Sequence, residues 1–407
     1  MGFLRASIAV LAVLAWTAAD AQAQEGTRGS FDPRAVGLPP NWTTPPSQPA
    51  PRLTRTQPTT YYTGQVAAPA RVRQPGLTRT GVYDITSGPF RPRGPVEVRD
   101  YWILAQPRMT LPAVSPDAPR HGSWTINFHI DRGNDFGWEQ DVAGDNPTDR
   151  RFIVDGEHQS TELRVRYGFL PRLSFGIRVP VYWRGGGFMD APIDWFHELF
   201  EGIGFLDNGR PAFTNDQYRV NGRLKNGDPF SWDDKRGTAL GNIDLEAYWH
   251  ILKACDRCDW RLAWIFRAAL PTGGDPYDTG LDLGTQLVAA KNLGGKLSRF
   301  DIYGGIGGTW YSDDTVDGVE YEPFRIAAFG AVEWHMTSRW SWIVETNFAS
   351  RMITNIDSYP AESWYINVST RYDITQCFEV YLGFTENIID QQGTIDFGGF
   401  AGFTLRL

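Results

Sequence analysis

From residue 121 to residue 407, apolar and polar residues alternate with a period of two in one segment after another. A strand points successive side chains to opposite faces, so this alternation specifies strands with one apolar and one polar face. Trp124, Ile126, Phe128 and Ile130 open the series. Thr161, Leu163, Val165, Tyr167 and Phe169 follow, and after a Leu170-Pro171-Arg172 turn come Leu173, Phe175, Ile177, Val179, Val181 and Trp183. Further runs lie at 243–251, 262–270, 281–291, 300–310, 324–334, 340–348, 364–372, 378–384 and 397–407. The reading gives about twelve strands, an even number, each of roughly 10 to 12 residues, which suits a tilted crossing of a bilayer. The connections divide into short turns near 170–172, 253–259, 292–298, 337–339 and 373–376 and longer stretches at 131–159, 184–241, 271–280, 312–322, 351–361 and 387–394. Short periplasmic turns and longer outer loops are the asymmetry of a transmembrane barrel. The expected fold is all-β: a closed antiparallel transmembrane β-barrel over 121–407, with both ends facing the periplasm.

The two faces carry this argument further. The proposed outward positions hold almost no charge, and a charge there would cost about 2–4 kcal/mol at the membrane midplane. The opposite face carries Arg164, Arg166, Arg178, Arg267, Arg325 and Arg371, together with Asp244, Glu246, Asp282, Asp301, Glu333, Glu345 and Glu379, as candidate lumen-lining residues. A soluble sandwich alternates too. Aromatics at 14% of the chain, with Trp183, Trp310, Trp334, Trp340 and Trp342 near strand ends, favour the interfacial girdles of a membrane barrel. The signs of the inward charges nearly balance, which argues against a strongly ion-selective pore. Two states of the lumen stay open: ion-pair ladders that fill it, or a narrow charged pore.

The N-terminal region reads differently. Arg5, the apolar run Ala6–Ala15 and the small-x-small site Ala21-Gln22-Ala23 predict a secretory signal peptide over 1–23. Residues 24–120 are rich in Pro and Arg and lack apolar periodicity. Such a stretch buries too little surface to offset its ordering entropy, so a disordered periplasmic arm is expected. Its arginines suit anionic partners such as lipid headgroups or periplasmic cell-wall polymer, or else the arm is a solvated tether. A net charge of -8 argues against a general nucleic-acid binder.

The stretch from Phe152 to Phe200 holds a Asp155-Gly156-Glu157 approach, the hairpin LRVRYGFLPRLSFGIRVPVYWRGGGFMD and then WFHELF. With GTALGNIDLEAYW at 237–249 and ALPTGGDP at 269–276, it resembles an uncharacterised DUF3187-like family of bacterial outer-membrane proteins. The resemblance covers roughly 120 to 407. It implies an outer-membrane barrel and no activity, ligand or catalytic residue.

Other features carry local expectations. Asp190, Pro192, Ile193, Phe196, Leu199 and Phe200 predict a short amphipathic helix in the loop after Trp183, as a gate, a membrane-surface element or a self-packed loop. Cys255 and Cys258 form a Cys-x-x-Cys in a predicted turn, where a stapling disulfide fits an oxidising compartment better than a redox or zinc site; Cys377 is left over. Acidic clusters at Asp131, Asp135, Glu139, Asp141 and Asp145, and at Asp313, Asp314 and Asp317, read as solvated loop charge or as cation bridges to lipopolysaccharide. His129, His250 and His335 fall on the lumen side, with Ser341 and Asp244 of the right type for a triad, but no nucleophile-elbow motif is present. No cofactor is expected and no enzymatic activity. The expected function is a porin-like outer-membrane channel for small solutes among lipid and lipopolysaccharide. A closed tethering barrel and a membrane-embedded hydrolase are the alternatives.

Overall fold

The computed structural model describes residues 90–407, apart from 101, 118, 141–149, 192, 194–215, 253–259, 357–361 and 388–396. The expected signal peptide, residues 24–89 of the expected arm, the Cys255–Cys258 pair and most of the expected loop helix lie outside the described residues.

Among the described residues, seventeen strands run in chain order. They are β1 (Trp124–Gln140), β2 (Arg150–Leu170), β3 (Leu173–Gly185), β4 (Arg219–Arg223), β5 (Pro229–Ser231), β6 (Gly237–Leu240), β7 (Ile243–Leu252), β8 (Trp260–Leu270) and β9 (Asp282–Asn292). Then come β10 (Phe300–Tyr311), β11 (Thr315–Val316), β12 (Val319–Glu320), β13 (Phe324–His335), β14 (Trp340–Ser350), β15 (Glu362–Asp373), β16 (Phe378–Asn387) and β17 (Phe397–Arg406). Each wall strand pairs antiparallel with its neighbours in sequence, and β17 returns to β1 from Arg406 opposite Thr125 to Phe397 opposite Asn134. β6 and β7 take successive stretches of the same edge of β3, so the wall is a closed antiparallel barrel of twelve strands. The break between them is at Gly241 and Asn242, where the Gly241 N–H donates to the Pro180 carbonyl. Pro180 lacks an N–H of its own, which interrupts the ladder there. β4 and β5 form a small extension on the loop side of β2, and β11 with β12 is a separate two-stranded hairpin.

Alternation places the faces. Leu163, Phe175, Ile177, Leu245, Trp264, Phe266, Ile306, Ile326, Val332 and Val344 are exposed on the outside, and the charged residues between them point inward and are buried. Trp124, Trp249, Trp260 and Tyr372 ring the exposed band at the turn end, and Trp310, Phe324 and Trp364 ring it at the loop end.

Two expectations need correction. β1 and β2 extend as far as 140 and from 150, through most of the stretch expected as a loop at 131–159. Phe152, Ile153, Val154 and Asp155 are all buried, so both faces of this extension are covered. The apolar–polar alternation that marks a strand facing one solvent is therefore missing there. Asp131 and Asp135 are accordingly buried strand residues and not solvated loop charge.

The larger correction concerns the arm, expected to be disordered as far as residue 120. Residues 93–114 are almost all buried inside the barrel. The entropy argument counted only the apolar surface the segment could bury against itself. The wall supplies the missing partners.

Candidate functional site: a lumen filled by one segment

The segment climbs the lumen from Phe90 at the turn end, reverses at 103–107 under the outer loops, and descends to Asp117. Its described residues have no regular secondary structure apart from this turn, in which Ala105 and Gln106 donate to the Trp102 carbonyl. Pro92, Pro95, Pro107, Pro112 and Pro116 remove donors along it. Every buried backbone group still needs a partner, and an extended segment without a ladder must find one among side chains. The wall provides carboxylates for its N–H groups and Arg, Tyr and Gln for its carbonyls.

On the ascending limb, Glu333 of β13 accepts from the Arg93 N–H (3.0 Å) and the Gly94 N–H (3.0 Å), and also from the Tyr303 hydroxyl (2.7 Å). The Arg93 guanidinium donates to Asp373 (2.7 Å) and to the Ser338 carbonyl (2.9 Å). Arg371 of β15 donates to the Arg93 carbonyl (2.6 Å) and the Pro95 carbonyl (3.2 Å). Higher up, Glu97 pairs with Arg164, Arg99 with Asp244, and Asp100 with Arg325 (2.9 Å). On the descending limb, Asp282 accepts from the Met109 N–H (2.9 Å) and the Arg108 guanidinium (3.3 Å). Gln286 donates to the Pro112 carbonyl (3.1 Å), and Asp117 pairs with Arg261 (2.6 Å). Ala113 and Val114 pack on Tyr248, Ile265 and Val288 at mid-lumen.

The tip is apolar. Trp102, Ile103, Leu104 and Met109 join Phe152, Val154, Tyr218, Val220, Phe230, Trp232, Val319, Tyr321 and Met352 in one buried cluster. These partners come from the extension of β2, from β4, β5 and β12, and from the loop after β14. The Tyr321 hydroxyl donates to the Leu104 carbonyl (2.7 Å), and burial pushes that phenol above its ordinary range, so it stays a neutral donor. Arg184 holds the turn from below, donating to the Ile103 carbonyl and the Gln106 side chain at 2.8 Å each.

The turn end is open and polar. A cavity of about 380 Å³ lies between the two limbs and the wall, lined by seven arginines and only three carboxylate side chains.

The sequence-assigned lumen residues fall as follows. Arg164, Arg178, Arg267, Arg325, Arg371, Asp244, Glu246, Asp282, Asp301, Glu333, Glu345 and Glu379 are buried inside the barrel. Arg166 is half-buried and lines the cavity. Eight of them contact the filling segment directly: Arg164 and, at 3.8 Å, Arg267 reach Glu97, Asp244 meets Arg99, Asp282 meets Arg108, Arg325 meets Asp100, and Glu333, Arg371 and, at 4.0 Å, Glu379 meet Arg93. Wall charges also bind one another. Arg178 bridges Glu162 (3.0 Å) and Asp244 (2.6 Å), Glu246 bridges Arg164 (2.6 Å) and Arg267 (3.2 Å), and Glu379 holds Arg406 (2.7 Å). Asp301 accepts from Arg261 (2.7 Å), and Glu345 takes the Asn367 amide.

The histidines are wall residues. His129 meets the Tyr381 hydroxyl (3.0 Å), and His335 lies between Asp301 (2.8 Å) and Glu333 (3.5 Å). His250 contacts the Pro116 carbonyl (3.0 Å) and Ser174 (3.4 Å). Asp244 is taken by Arg99 and Arg178 instead. Asp301, Glu333 and His335 cluster closely enough to hold a metal ion, but Glu333 already serves the Arg93 and Gly94 N–H groups. Asp313, Asp314 and Asp317 are exposed, and Asp317 pairs with Lys235 (3.0 Å).

Sequence reasoning missed the filling segment. Its signal was the cluster Val96, Val98, Trp102, Ile103, Leu104 and Met109, apolar but aperiodic.

The chain belongs to the DUF3187 family, described as a protein of unknown function, whose match spans residues 85–407 and so includes the filling segment. No curated protein matches the chain. Among solved structures it is similar to the COG4313 outer membrane channel from Pseudomonas putida F1, at 12% identity and a TM-score of 0.47 over 72% of this chain and 98% of that one. It is also similar to the KdgM porin (8% identity, TM-score 0.35, 69% and 98% covered) and to the Pseudomonas putida toluene transporter TodX (10%, 0.36, 70% and 88%).

Proposed function

We propose that this protein is a porin-like outer-membrane channel for small solutes, closed at rest by its own residues 90–117. One observation carries the reading: the barrier is a single continuous segment, whereas the wall behind it is polar and charged. A wall that filled its own lumen would bring its side chains together across the axis. Here many of them reach instead for a peptide that precedes the first strand. The exposed apolar band with its aromatic rims supports a lipid bilayer as the surroundings, with lipid and lipopolysaccharide as the partners of the outer surface. The short turns and both ends of the filling segment are then periplasmic, and the arginines of the sequence before residue 90 suit anionic cell-wall polymer as a partner.

Single-channel conductance in a planar bilayer tests this. The full chain is expected to be nearly silent, and a variant lacking residues 90–117 is expected to give discrete, sustained steps. Heat-modifiable gel mobility confirms that the variant is folded. A folded but silent variant overturns the channel reading in favour of a closed structural barrel.

A further inference from the structure

The cavity at the turn end is lined by one guanidinium, that of Arg166, for which the described residues supply no hydrogen bond or ion pair. Each of its three carboxylates is already paired: Glu97 with Arg164, Asp117 with Arg261 (2.6 Å), and Glu379 with Arg406 (2.7 Å) and Arg371 (3.4 Å). Arg166 differs from these arginines. It lines the cavity from β2 and makes no hydrogen bond or ion pair among the described residues. Its Nη1 is buried without a partner, and its guanidinium rests over the Tyr248 ring at 5.4 Å. The neighbouring acid Glu246 is held by Arg164 (2.6 Å) and Arg267 (3.2 Å).

The backbone makes room for this side chain. Gly176 of β3 stands opposite Arg166, and a Cβ there would lie 2.9 Å from the Arg166 Cγ and 3.0 Å from a Glu246 oxygen. The arginine thus lies in a slot left by a missing side chain, beside a rigid aromatic ring. A partly buried guanidinium with no acceptor costs about 1–3 kcal/mol, and an anion in the cavity would recover that cost. Guanidinium groups present paired donors that match carboxylate and phosphate oxygens. A volume of about 380 Å³ lies within the range of small-molecule sites. The stretch before residue 90 does not suit the cavity, because Arg outnumbers Asp and Glu there too.

We propose that the turn-end cavity is a binding site for a small anion bearing a carboxylate or phosphate group, with Arg166 as the residue that grips it. The site stands on the cavity alone and survives even if the barrel never conducts.

Isothermal titration of the full-length, detergent-solubilised protein with inorganic phosphate, and separately with citrate, tests the site and distinguishes the two ligand groups. Saturable one-to-one binding that weakens with added salt is expected for at least one of them. Arg166→Gln is expected to weaken it about tenfold or more, as loss of a charge-assisted contact in a partly buried site does. Gly176→Ala, which pushes on the Arg166 stem without removing its charge, is expected to weaken it less. Arg223→Gln, on the distant β4, controls for net charge and is expected to leave binding unchanged. Absence of saturable binding by either probe overturns the proposal. So does equal weakening by Arg166→Gln and Arg223→Gln, which identifies a general charge effect. Melting of each variant in the absence of anion shows that the loss is not unfolding.

Discussion

At the loop end, Trp102, Ile103 and Leu104 sit in a dry cluster of aromatic and aliphatic side chains drawn from five outer elements. At the turn end, the same segment is held by Glu333, Asp373 and Arg371 beside an arginine-lined cavity. The two ends use different physics. Apolar burial is non-directional and follows the area removed from water, about 25 cal/mol per Å². Buried charged contacts depend on geometry, and their attraction is largely offset by desolvation, so they fix position more than they add stability. The tip is therefore the anchor, and the turn-end contacts are the register that decides where each limb lies.

That division can be broken by single substitutions. Trp102→Ala has the largest expected effect. Truncating a fully buried Trp costs about 3–5 kcal/mol, and the loss should appear as protease sensitivity of the 216–236 loop region while the barrel keeps its heat-modifiable mobility. If the loops stay protected, the tip is not the anchor. Glu333→Gln comes next. It keeps the shape but removes the charge that receives two N–H groups of the segment, a loss of about 1–3 kcal/mol. Hydrogen exchange should rise at Arg93 and Gly94 and stay unchanged at Ile103; a rise at both would mean that the segment moves as one unit and that the two ends are not distinct. Lys235→Gln is the smallest. Lys235 pairs with Asp275 (2.8 Å) and Asp317 (3.0 Å) on the outer surface, and those hydrogen bonds hold its ammonium above the ordinary lysine range. Exposed pairs are screened, so less than about 1 kcal/mol is expected in a melting comparison, a baseline for the buried contacts.

The same contrast explains what was legible in the sequence. The wall was readable because its strands obey one local rule, a period of two imposed by different surroundings on the two faces. Arg164, Arg178, Glu333 and Glu379 could be assigned inward from parity alone. The extension of β2 at Phe152–Asp155 escaped because both its faces are buried and the rule lapses. Residues 90–117 escaped for another reason. Val96, Trp102 and Leu104 have no spacing that predicts a partner, because their partners are set by the three-dimensional wall and not by neighbours in the chain. Gly94, Pro95 and Pro112 read as disorder when the carboxylate, guanidinium and amide groups that receive them lie up to 276 residues away. Arg166 was assigned to the lumen from parity, but its lack of an acid partner depends on which charges the fold brings together.

Because the filling segment goes up and comes back, both of its limbs leave the barrel through the same rim. It is held like a folded cord pushed into a sleeve and not like a thread drawn through one. A segment seated this way shares no ladder with the wall, so the seam between β1 and β17 closes the ring independently of it.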